Sequence, residues 1–88
     1  MYRVITDELV QQQINALPAE ALASVAELRT LLEVHPWSGR PLHRKNPHGV
    51  QTIVFGPDAQ GIAYYLVLDD QRQGALLTVS WLGREHQT

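Results

Sequence analysis

The apolar pattern of this chain changes period once, and that change confines the fold to helices followed by strands. Up to Val34, apolar residues recur at helical spacing: Val10, Ile14 and Leu17, then Ala21, Leu22, Val25, Leu28 and Leu32. From Val50 onward the period is two, as in a strand with two faces. Between these halves lies the stretch 35–49, HPWSGRPLHRKNPHG, whose Pro36 ends the helical pattern.

The first half reads as a short β-branched strand over 2–6, then two helices. Thr6 or Asp7 is placed to cap the first, with Asp7 and Glu8 favourable for its dipole. Pro18 sits at the tolerated first position of the second helix, which runs to Val34. Ala21, Leu22, Val25, Leu28 and Leu32 define its buried face, and Glu20, Ser24, Glu27 and Thr30 its polar face. The second half reads as three strands, 50–55, 62–68 and 75–82, separated by turns at 56–61 and 69–74. The middle one is nearly continuously apolar and should be central. Short links favour antiparallel pairing. The expected fold is therefore α+β, ordered β-α-α-β-β-β, with a helix hairpin packed on a mainly antiparallel sheet. Residues 1–88 form a single domain, with 84–88 a flexible polar tail.

Composition narrows the class. A chain of 88 residues buries only about 60–65% of its unfolded surface, so a partner that covers apolar surface would matter. The absence of cysteine excludes disulfides and thiolate metal sites. No apolar run reaches the ~20 residues of a membrane span, and the N-terminus, acidic by Asp7, has no signal-peptide pattern. These features suit a cytoplasmic protein without a membrane partner or cofactor. None of the four histidines has metal-ligand spacing on a helix, so no metal site is expected.

The net charge of −2 conceals one positive island. Residues 1–34 carry two Lys/Arg and five Asp/Glu, and residues 58–88 carry two and four. Residues 35–57 carry Arg40, Arg44 and Lys45 and no acid, together with His35, His43 and His48. Such an island suits an anionic partner, although the same residue types also build ordinary solvated loops. Trp37 beside the island is a candidate for base stacking, whereas Tyr64 and Trp81, at strand spacing, read as core.

The order of motifs resembles the RelE/ParE toxin superfamily over residues 2–83. The resemblance rests on the Leu17-Pro18 junction of the hairpin and on Gly39-Arg40-Pro41-Leu42 before the first strand of the meander. It rests also on Tyr65 followed by Asp69-Asp70. It implies a small cytoplasmic toxin with a cognate antitoxin, acting on ribosome-bound mRNA as a metal-independent endoribonuclease (an mRNA interferase). The alternatives it leaves are a ParE-like DNA gyrase poison and a catalytically degenerate module that still binds an antitoxin. One departure bears on that choice: the family's nucleases carry arginines on the first two meander strands, and no Lys or Arg occurs here between Lys45 and Arg72. Metal-free cleavage through the 2′-hydroxyl needs an acid, a base and a phosphate clamp. His43, His48 and His86 are the candidates for acid and base. Arg40, Arg44 and Lys45, with Arg84 from the tail and Trp37 as a stacking ring, are the candidates for substrate binding.

Overall fold

The computed structural model describes residues 1–82. Strand β1 (Arg3–Thr6) leads into helices α1 (Glu8–Asn15) and α2 (Ala19–Val34). A very short strand β2 (Arg40–Pro41) follows, then β3 (Gln51–Phe55), β4 (Gly61–Leu68) and β5 (Gln73–Trp81). The sheet order is β1-β5-β4-β3-β2. Strand β1 runs parallel to β5, and the other neighbours are antiparallel. This is the expected α+β architecture with one addition. Strand β2 escapes a periodicity reading because it is two residues long and half of it is proline, which a sheet tolerates at an edge.

Each helix begins for a local reason. Asp7 is the N-cap of α1, its carboxylate accepting from the Val10 N–H at 2.9 Å. Pro18 stands one position earlier than the sequence suggests, as the N-cap of α2, where its carbonyl accepts from Ala21 and Leu22. The helices bury one face of the sheet. Val10 and Ile14 of α1 and Val25, Leu28 and Leu32 of α2 meet Val4, Phe55, Ala63, Tyr65, Val67, Leu76 and Val79. Two expectations for α2 are corrected. Leu22 is exposed and Ser24 is buried, because Ser24 falls within the stripe of Ala21, Val25, Leu28 and Leu32. A small side chain suits that point: a Cβ on Gly56, at the β3–β4 turn, would lie 3.4 Å from the Ser24 hydroxyl.

Strand β4 alternates strictly between buried and half-buried residues. Ala63, Tyr65 and Val67 face the helices, which puts Ile62, Tyr64, Leu66 and Leu68 on the uncovered face. Tyr64 is thus half-buried on the open face and not a core residue, whereas Trp81, partly buried, packs against the core beside Phe55. A bulge in β5 leaves Leu77 between the pairs Tyr64–Thr78 and Tyr65–Leu76. Because β1 ends opposite Leu76, the rest of that side of β5 has no strand beside it among the described residues. There Gln13 of α1 accepts from the Val79 N–H at 3.0 Å and from the Thr78 hydroxyl at 3.3 Å.

Candidate functional site

The basic stretch is held to the sheet by two buried polar side chains that face each other across β3 and β4. Gln51 and Tyr65 are directly paired in the register, and both are essentially inaccessible, at 1% and 0% exposure. The Tyr65 hydroxyl donates to the Pro36 carbonyl at 2.9 Å and accepts from the Gly39 N–H at 3.0 Å. It therefore grips the backbone on both sides of Trp37 and Ser38. The Gln51 amide donates to the Pro47 carbonyl at 2.9 Å and the Gly49 carbonyl at 3.0 Å. It grips the backbone on both sides of His48. Burial pushes the Tyr65 phenol up from 10.0, against a smaller opposing effect of the Gly39 N–H.

Above the clamps, the Trp37 and His48 rings meet edge to face, with centroids 5.6 Å apart and planes at 81°. The pair lines one wall of a cavity of about 310 Å³, completed by Val67, Leu68, Asp69, Asp70 and Gln71. Asp69 is fixed from the other side by the Tyr2 hydroxyl, which donates to its carboxylate. That bond, more than any other effect, raises the Tyr2 phenol above its ordinary 10.0.

Glycine is required at the entrance to this segment. A Cβ on Gly39 would lie 2.6 Å from both the Thr52 carbonyl oxygen and the Tyr65 hydroxyl. With that close approach allowed, Arg40 pairs with Thr52 and Pro41 with Gln51, and the Leu42 N–H reaches the Val50 carbonyl at 2.8 Å. The loop beyond folds into two successive turns. Asn46 donates to the His43 carbonyl at 2.9 Å, and Gly49 to the Asn46 carbonyl at 3.0 Å. Arg44 and Lys45 are the central residues of the first turn, and Pro47 and His48 of the second.

The candidates named from sequence sort by place. Arg40 stands on the edge strand β2, exposed, with its register partner Thr52 on the uncovered sheet face. His43, Arg44 and Lys45 form the exposed tip of the loop. His48 and Trp37 are brought together in one ring pair. Arg84 and His86 lie outside the described residues. Gln51 and Asp70 join the site only in the folded chain. A glutamine in a strand reads as a solvent-facing residue, and its role becomes visible only through its register with Tyr65. Among the described residues no group of His, Asp and Glu side chains is arranged to hold a metal ion. No described helix is long and apolar enough to cross a membrane.

No family model matches the sequence, and no curated protein does. Solved structures do match. The Mycobacterium tuberculosis toxin–antitoxin complex RelBE2 contains a chain 23% identical to this one, with a TM-score of 0.74 over 91% of this chain and 90% of that one. The isolated E. coli RelE toxin is 12% identical, with a TM-score of 0.75 over 99% and 90%. A mutant E. coli RelE bound to an antitoxin RelB peptide is 14% identical, with a TM-score of 0.73 over 98% and 87%. The chain has the RelE toxin fold, covered almost end to end.

Proposed function

We propose that this chain is the toxin of a toxin–antitoxin pair and inhibits translation in the cytoplasm by cleaving messenger RNA on the ribosome. The observation that carries the reading is a RelE fold whose acid-free basic stretch is clamped to the sheet and displayed at one end. Arg44 and Lys45 at the exposed tip, with Arg40 on the edge strand, supply positive charge for the RNA backbone. His48, held in place by Gln51 through the flanking carbonyls, is the acid or base, with His43 as the second titratable group. The test is primer extension on an mRNA in a cell-free translation reaction. Cleavage is expected only with engaged ribosomes, and Arg44→Ala, Lys45→Ala and His48→Ala together should abolish it. Intact mRNA with folded protein would reject the nuclease reading.

The partner under this reading is a cognate antitoxin. Two of the similar structures are toxin–antitoxin complexes, and an acidic segment laid over the loop would block it by charge and by volume. A complex whose contacts avoid both the helix hairpin and the loop would sink that idea.

One observation favours a different target. Strands β3 and β4 carry no Lys or Arg, so their uncovered face presents Val54, Ile62 and Leu66 where a phosphate clamp would need cations. A gyrase poison, or an interaction module without catalysis, needs no such clamp. Loss of gyrase supercoiling on addition of the chain, with mRNA intact, would select the gyrase alternative.

A further inference from the structure

We infer that the cavity beside the Trp37–His48 pair is a base-reading pocket, selective for a nucleobase with a donor-rich edge and above all for guanine. The inference rests on the reading that the chain acts on RNA, and it names what one part of the site recognises. Three features of the cavity lead to it.

The first is the wall. In an edge-to-face pair at least one ring keeps a face free of its partner, and aromatic faces are what unstacked RNA bases settle on. Trp37 is 39% exposed despite its size. The backbone flanking Trp37 and that flanking His48 are each bonded by a buried side chain, which limits how far the two rings can separate before a ligand arrives.

The second is the charge of the rim. The cavity is lined by Asp69 and Asp70, and among the described residues no Lys or Arg lines it. A phosphate is repelled there, whereas the N–H donors of a base edge are accepted. Guanine offers N1–H and the N2 amino group side by side, which match the two oxygens of one carboxylate. Adenine and cytosine offer an amino group next to a ring acceptor that the same carboxylate repels, and uracil has a single N–H between two carbonyls. Asp69 already accepts from Tyr2, so Asp70 is the principal reader.

The third is the layout. A volume of about 310 Å³ lies at the small end of ligand sites, enough for one base and not for a structured duplex. The basic turn with Arg44 and Lys45 belongs to the same loop as His48. A nucleotide therefore meets opposite charge at each end: its base enters the acidic cavity and its phosphates turn toward the loop.

The experiment titrates each of the four nucleoside 5′-monophosphates, at millimolar concentration, into the purified 88-residue chain. The readouts are the Trp37 indole N–H and His48 ring resonances in NMR spectra. Guanosine monophosphate should move both resonances and bind at least tenfold more tightly than the other three. Asp70→Asn, at an exposed turn position that leaves folding intact, should lower that preference about tenfold. Trp37→Ala should remove binding at this site. Equal shifts from all four nucleotides, shifts confined to residues 43–45, or no shifts would each overturn the inference. The reading beneath it fails separately. Guanine selectivity in the purified chain with no mRNA cleavage would sink the nuclease reading alone. Cleavage whose base preference is unchanged by Asp70→Asn would sink the pocket alone.

Discussion

The two ends of the sheet are built on different physics. At the loop end, the chain is held by directional bonds from buried side chains: Tyr65 to Pro36 and Gly39, Gln51 to Pro47 and Gly49. At the other end, the β3–β4 turn carries backbone bonds, among them Leu82 N–H to the Gln60 carbonyl at 2.8 Å. No buried side chain among the described residues anchors it, and its form is set by close packing. Gly56 has φ 86° and ψ 167°, a region essentially reserved for glycine, and Asp58 and Ala59 also have positive φ. A Cβ on Gly56 would approach the Trp81 ring to 2.8 Å, and Trp81 packs against Phe55 with ring centroids 6.0 Å apart. Buried hydrogen bonds fix orientation as well as position, which suits an end that presents side chains to a ligand. Close packing around an unusual backbone closes a turn and leaves few groups to present.

The largest expected effect tests the clamp end at its root. Tyr65→Ala removes a buried aromatic ring and both anchors of the Trp37 segment. It should cost about 3–5 kcal/mol in urea denaturation, and a loss below about 1 kcal/mol would show that the segment is held by something else. At the opposite end, Gly56→Ala should cost about 1–3 kcal/mol from backbone strain, while the Trp37–His48 signals in NMR stay in place. Movement of those signals would mean the two ends are mechanically coupled.

Gln51→Leu sharpens the contrast. It keeps volume but withdraws two donors from the loop carbonyls, for a cost of about 1 kcal/mol and a fall in Tm of about 4–8 °C. The diagnostic result is selective: the His48 ring resonances should lose the shift imposed by Trp37, with the core spectrum unchanged. The smallest effect is alkaline. Because burial raises the Tyr65 phenol, the folded chain resists an ionisation that the unfolded chain undergoes near 10.0. Stability from this group is complete below pH 10 and declines as pH rises above it. Tyr65→Phe should flatten that decline, and an unchanged alkaline limb would show that Tyr65 does not set it.

The same contrast separates what is legible in the amino-acid sequence from what is not. Helices and main strands follow from period and local signals, because those depend on neighbours a few residues away. The parallel pairing of Arg3–Thr6 with residues 73–76 joins parts of the chain about seventy positions apart, and no local pattern encodes it. Ser24 goes to the wrong face when polarity is weighed above its angular position on α2. The basic loop is legible as a charge pattern, down to Trp37 as its aromatic neighbour. Its supports are not: Gln51 looks ordinary, and Tyr65 and Asp70 stand out only as parts of a motif, until the register sets Gln51 opposite Tyr65 and the β4–β5 turn folds beside the loop.

The short first strand has a consequence for the behaviour of the protein in a crowded solution. Past Leu76, one side of β5 is a ribbon edge with no strand paired to it among the described residues, bordered by exposed Leu77 and Leu82. Such edges recruit strands from other molecules into aggregates. Gln13 occupies the Val79 amide with a side chain instead of a strand. A single glutamine on the first helix thus takes up, with its side-chain carbonyl, an edge donor that no neighbouring strand reaches among the described residues.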